Sequence, residues 1–111
     1  MVEDALSEGG FEPVLAQTGE EAVELLLGAA KYTALITDIN LPGDIDGWEV
    51  AKRAREAQLQ MPVVYMTGAA AEQWPSKGVP NSVLLNKPFA PAQIVTAVSQ
   101  LVNATPPAPP E

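Results

Sequence analysis

The feature that most constrains this chain is a repeated switch between two hydrophobic periods, with each short apolar run stopping at a polar residue. Tyr32 to Thr37 is almost uniformly apolar or β-branched and runs straight into Asp38. That is the pattern of a strand covered on both faces. Val63 to Met66, opened by Pro62, ends in Thr67-Gly68, and Ser82 to Asn86 ends at Lys87-Pro88-Phe89. Between these runs the apolar residues recur at three and four residue steps, as helices require. Thr18-Gly19-Glu20-Glu21 has the spacing of a capping box, and Ala22, Val23, Leu26, Leu27 and Ala30 continue it as a helix that Gly28 weakens. Asp46 and Glu49 repeat the capping pattern before a helix over Trp48 to Ala57, with Val50, Ala51 and Ala54 inward and Lys52, Arg53, Arg55 and Glu56 toward water. Pro91 suits a helix start, and Ile94, Val95, Val98, Leu101 and Val102 form its apolar stripe.

Earlier in the chain, Val2, Ala5 and Leu6 share one side of a helical turn, with Gly9-Gly10 where a helix end favours glycine. Phe11 to Ala16 reads as a brief strand around Val14 and Leu15. Ala69 to Gln73 reads as a short helix that Trp74-Pro75, Gly78 and Pro80 break. The eight residues from Ala104 to Glu111 include four prolines, so the chain divides into one domain over 1–103 and a disordered tail over 104–111. Strands alternating with helices predict an α/β fold with a doubly wound parallel sheet, whose ligands lie beyond the carboxyl ends of the strands.

Composition closes several routes. The 111 residues suit one core, and 47% of them are apolar, too many for a disordered chain. A formal charge of −8 disfavours nucleic acid and anionic lipid. With no cysteine and no histidine, disulfides, thiolate or imidazole metal sites and Ser-His-Asp or Cys-His catalysis are excluded together. The apolar stretches are too short to span a bilayer and the acidic start is unlike a signal peptide, so a cytoplasmic protein is expected.

What remains is oxygen and amine chemistry at one sheet edge. Asp38, Thr67 and Lys87 each end a strand. A carboxylate can attack phosphorus, a lysine can neutralise the transferred oxygens, and a hydroxyl can donate a hydrogen bond to one of them. Each residue alone is weak evidence; the shared edge makes the set suited to a phosphoryl group.

These residues resemble the response-regulator receiver domain of two-component signalling. The resemblance is carried by Asp38-Ile39-Asn40-Leu41-Pro42, Asp46-Gly47, Met66-Thr67-Gly68 and Lys87-Pro88-Phe89, and covers Gly10 to Asn103. It implies a flavodoxin-like sheet and a stand-alone phosphorelay receiver rather than an enzyme, with Asp38 as phosphoacceptor. Thr67 and Lys87 would bind the phosphoryl group, Pro88 would follow a cis peptide, and Mg²⁺ would sit on Asp38 and the backbone carbonyl of Asn40. The implied partners are a sensor histidine kinase or a histidine phosphotransfer protein, and a homodimer is compatible with the family. A flavin-binding flavodoxin or an aspartate-based phosphatase would share the sheet, but no Ser/Thr-rich phosphate loop is present, and Asn40 stands where such a phosphatase has its second aspartate.

The chain also departs from the family pattern. Glu3-Asp4 looks like the family's Mg²⁺-binding acidic pair, yet only eight residues separate it from Pro13, too few for a βαβ crossover of at least about ten to twelve. Both acids therefore belong on the first helix. The first family strand and its acidic pair are expected to be missing, leaving four strands and weak Mg²⁺ binding. The gap lies inside the family's strand order, so the flanking strands close up, another chain supplies a strand, or the start is truncated. Leu84 replaces the usual switch aromatic, and the loop from Pro42 to Asp46 is one residue longer than the commonest form. A phosphorylation-independent interaction module is the alternative function. Trp48 is assigned to packing, and Trp74 with Leu84 to a partner surface.

Overall fold

The protein is described by a computed structural model that covers residues 2–28, 32–58, 60–68 and 71–104. In chain order its elements are α1 (Val2–Glu8), α2 (Gly19–Leu27), β1 (Leu35–Asp38), α3 (Gly47–Ala57), β2 (Val63–Thr67), a 3₁₀ turn (Ala71–Gln73), α4 (Trp74–Lys77), β3 (Val83–Asn86) and α5 (Pro91–Ala104). The strands form a parallel sheet in the order β1-β2-β3. The α/β class, the parallel sheet and the helix spacing agree with the sequence reading. Of the predicted tail over 104–111, Ala104 instead ends α5, and residues 105–111 lie outside the described residues.

The helix starts follow from their side chains. Thr18 Oγ1 accepts the Glu21 amide at 3.0 Å, and Asp46 Oδ1 accepts the Glu49 amide at 3.0 Å. The returning glutamates do something other than close a capping box. Glu21 Oε1 accepts from Gln17 N at 2.8 Å, one residue earlier than the box requires, and Glu49 pairs with Arg53. Gly9, Gly10 and Phe11 close α1 by donating to Ala5, Ser7 and Leu6 carbonyls. The predicted break at Trp74-Pro75 is instead a helix start: Pro75 lies in the first turn of α4, where its missing N–H costs nothing.

Two apolar layers flank the sheet. Side chains alternate along β2, so Val63 and Tyr65 join Ile39, Trp48, Ala51, Ala54, Met61 and Val79 on the α3 side, while Val64 joins Leu6, Ile94, Ala97 and Val98 on the α1/α5 side. Val50, Ala51 and Ala54 of α3 are buried as predicted, and so is Trp48, whose ring packs on Tyr65 at a centroid distance of 4.8 Å. Arg55 departs from the solvent-facing assignment. It donates to the carbonyls of Met61, Pro80 and Asn81, joining the ends of α3 and the β3 approach.

The predicted strand over Phe11 to Ala16 does not form. Among the described residues β1 pairs only with β2, so this segment has no ladder partner for its backbone groups. Val14 is 58% and Leu15 61% exposed. Three of the four expected strands are present, and the proposed closing-up of the flanking strands does not occur. Glu3 and Asp4 fall on α1 rather than at a strand end, as the spacing argument requires.

Candidate functional site at the carboxyl edge of the sheet

Parallel pairing sets where the three polar strand ends arrive. Asp38 lies opposite Met66 in the β1–β2 register, and Thr67 lies opposite Asn86 in the β2–β3 register. The register extends past the strands, because Ile39 N donates to the Met66 carbonyl at 3.2 Å and Lys87 N donates to the Thr67 carbonyl at 2.8 Å. Asp38, Thr67 and Lys87 are thereby fixed at one edge although 49 positions separate the first from the last. Lys87 Nζ pairs directly with Asp38 Oδ1 across β2. Both side chains keep substantial solvent contact, whereas Thr67 is buried. The peptide between Lys87 and Pro88 is cis, as the resemblance implied.

The loop after Asp38 is held from two sides. Gly47 N donates to the Ile39 carbonyl at 2.8 Å, and a Cβ at Gly47 would collide with the carbonyl of Asp38, so only glycine lets α3 begin this close to the acid. On the other side Glu20 Oε2 accepts the Asp44 amide at 2.8 Å. Amides of Asp44, its own residue and Ile45 hold the Glu20 carboxyl below the usual carboxylate range. Asn40 is exposed on this loop, with its backbone beyond the end of β1.

The structure tests the implied metal through its donor set. Among the described residues no group of three acidic side chains is placed to hold an ion. Asp38 and the Asn40 carbonyl would supply two of about six oxygens that Mg²⁺ takes, so the residues present fit the metal only in part.

Trp74 and Leu84 both serve the interior in part. The Trp74 indole N–H donates to Ser82 Oγ at 2.9 Å, Ser82 in turn donates to the Val79 carbonyl, and Leu84 packs against the α3-side core. Sequence reasoning missed one contributor to this edge, Glu20, and quoted Gly47 only as part of a motif. The longer Pro42–Asp46 loop was the available hint that something outside it must hold it. At the opposite, amino-terminal edge of the sheet, the contacts of Arg55 were hidden by its helical spacing among charged residues.

Comparison with known proteins agrees with this geometry. The family model for the response regulator receiver domain matches residues 1–99. A crystal structure of a response regulator receiver protein from Sinorhizobium medicae WSM419 superposes with a TM-score of 0.92 at 45% identity, covering 95% of this chain and 85% of that one. The response regulator receiver protein CpdR of Brucella abortus is 30% identical over 90% of this chain and 83% of its own length. The transcriptional regulatory protein CusR of Escherichia coli K12 is 32% identical over 88% of this chain, which spans only 43% of that protein. A sensor-kinase receiver domain from Pseudomonas aeruginosa PAO1, crystallised with magnesium in its active-site cleft, shares the fold at a TM-score of 0.78 and 22% identity, over 93% of this chain and 86% of that one.

The fold is a parallel α/β sheet that brings an acid, a hydroxyl and a lysine to one edge. The chain belongs to the response regulator receiver family, whose members work with histidine kinases or phosphotransfer proteins in two-component systems. No helix among the described residues is long and apolar enough to cross a membrane.

Proposed function

We propose that this chain acts as a stand-alone receiver that takes a phosphoryl group on Asp38 and signals through protein contact. The observation carrying this reading is the Lys87–Asp38 pair, with buried Thr67 ending the strand between them, at the carboxyl edge. A carboxylate oxygen of Asp38 attacks the phosphorus of a phosphohistidine. The P–N bond breaks with its electron pair passing to the imidazole nitrogen, and an acyl phosphate remains on Asp38. Lys87 offsets the charge on the transferred oxygens, and Thr67 supplies a hydroxyl donor at the same edge. The phosphoryl donor is a sensor histidine kinase or histidine phosphotransfer protein, and the chain is an acceptor rather than a turnover catalyst. The setting is cytoplasmic, with neither nucleic acid nor membrane as a partner, and a homodimer is an available output. Trp74 and Leu84 flank the surface offered to the receiving protein.

Mg²⁺ binding is weak on this reading, because Asp38 lacks a neighbouring acidic pair among the described residues. That same observation favours the second reading, an interaction module that works without phosphorylation. Titration with beryllofluoride and Mg²⁺, followed by amide NMR, separates the two. Shifts concentrated at residues 38, 67 and 87 are expected. A spectrum unchanged at millimolar metal would favour the interaction module.

A further inference from the structure

We infer that Glu20 is a positioning residue for Asp38: its carboxylate straps the loop between β1 and α3, and so sets the rate at which Asp38 accepts a phosphoryl group. The inference rests on the proposed phosphoacceptor role of Asp38, and its structural half stands on separate observations.

The loop between β1 and α3 carries the backbone away from Asp38 past Asn40. Its end is anchored to its own start, since Gly47 donates to Ile39 and abuts the Asp38 carbonyl. Its middle is anchored by α2. Glu20 Oε2 accepts the Asp44 amide at 2.8 Å across 24 positions of sequence. The other carboxylate oxygen lies where a Cβ on Gly43 would stand, and Gly43 has a φ of +95°, which glycine adopts freely. One residue earlier, Gly19 leaves no room for a side chain against the Ile45 carbonyl and Cβ. Two consecutive residues of α2 thus meet three consecutive residues of the loop.

The side-chain cap of α2 does not require Glu20. Thr18 caps the α2 start by accepting from Glu21, and Glu21 accepts from Gln17, so capping is accomplished without it. The Glu20 side chain is part-buried and its carboxylate is spent on the neighbouring loop. That loop contains one residue more than the commonest receiver form, and extra length adds conformations that an external tether must remove. A loose loop would let the backbone beside Asp38 wander from the geometry needed for in-line attack, and small misplacements there slow a reaction strongly.

The test compares the full chain with Glu20→Ala, Glu20→Gln and Gly43→Ala by amide hydrogen exchange and by the rate of Asp38 phosphorylation from acetyl phosphate. In Glu20→Ala, exchange at Asp44 is expected to speed up about tenfold and phosphorylation to slow about three- to tenfold, with little change in the thermal midpoint. Glu20→Gln keeps an acceptor oxygen and should restore most of both. Gly43→Ala should reproduce the loss from the loop side, and combining it with Glu20→Ala should add little. Unchanged Asp44 exchange in Glu20→Ala would overturn the strap, and faster exchange with unchanged phosphorylation would overturn the positioning role. An unsubstituted chain that takes up no phosphoryl group would end both the proposed function and the positioning role, while the exchange data would still decide whether the strap exists.

Discussion

At the residue scale, the site depends on side chains whose surroundings leave little freedom. Lys87 is held against Asp38 by the β3 backbone, so Lys87→Ala should leave the fold intact and slow acyl-phosphate formation by about 10²-fold, the effect of losing one charge-stabilising group. Trp48 lies against Tyr65 in the α3-side core, and Trp48→Ala should lower the unfolding free energy by about 3–5 kcal/mol in a urea titration. Tyr65 adds a pH dependence. Burial raises its phenol above the usual value near 10, although the Val79 amide donating to its oxygen at 3.0 Å and nearby Arg55 pull the other way. The folded state therefore holds this proton more tightly than the unfolded chain does. The resulting stabilisation is complete below about pH 10 and is lost as pH rises through the folded-state value. Tyrosinate absorbance from Tyr65 should thus appear only above pH 10, together with loss of near-UV circular dichroism. An early tyrosinate signal in an intact fold would contradict the burial. Asp38, Thr67 and Lys87 were legible in the sequence because each terminates an apolar run, which places it at a strand end before any contact is known. Glu20 and Arg55 were not, since the Glu20 partner and two of the three Arg55 partners lie 24 to 26 positions away, on irregular backbone that periodicity does not describe.

Among the elements, helices were legible and one strand was not, for a physical reason. A helix satisfies its backbone within itself, so caps at Thr18 and Asp46 and the stripe at Ile94, Ala97 and Val98 suffice to locate it. A strand exists only beside another strand. Phe11 to Ala16 has the composition of one, yet it forms no ladder, and β1 bonds only to β2 among the described residues. The prediction at this scale concerns protection. Backbone amides of β2, paired on both sides, should exchange far more slowly than those of residues 11–16, and equal protection in the two segments would mean that a ladder forms there. Arg55 ties elements together through three carbonyls. Arg55→Ala should cost about 1–2 kcal/mol, below the usual value for several charged hydrogen bonds because two of the three are exposed.

For the molecule as a whole, three parallel strands between two helical layers carry a carboxylate, a hydroxyl and an ammonium to one rim, and membership of the receiver family gives that rim its chemical context. The fold class followed from the alternation of periods alone, whereas the strand count required knowing which backbone edges find partners. Glu3 and Asp4 lie on α1 and, among the described residues, no group of acids is placed to share a metal, so under the proposed function phosphoryl acceptance would lean on Lys87 and Thr67 more than on an ion. The most direct measurement is the site and rate of acyl-phosphate formation with a phosphorylated histidine phosphotransfer domain as donor, mapped by borohydride trapping and peptide mass spectrometry in the unsubstituted chain, Asp38→Asn and Lys87→Ala. The account predicts label on Asp38 alone, none in Asp38→Asn, and slow labelling in Lys87→Ala. Label on another residue, or equal labelling in all three proteins, would contradict it.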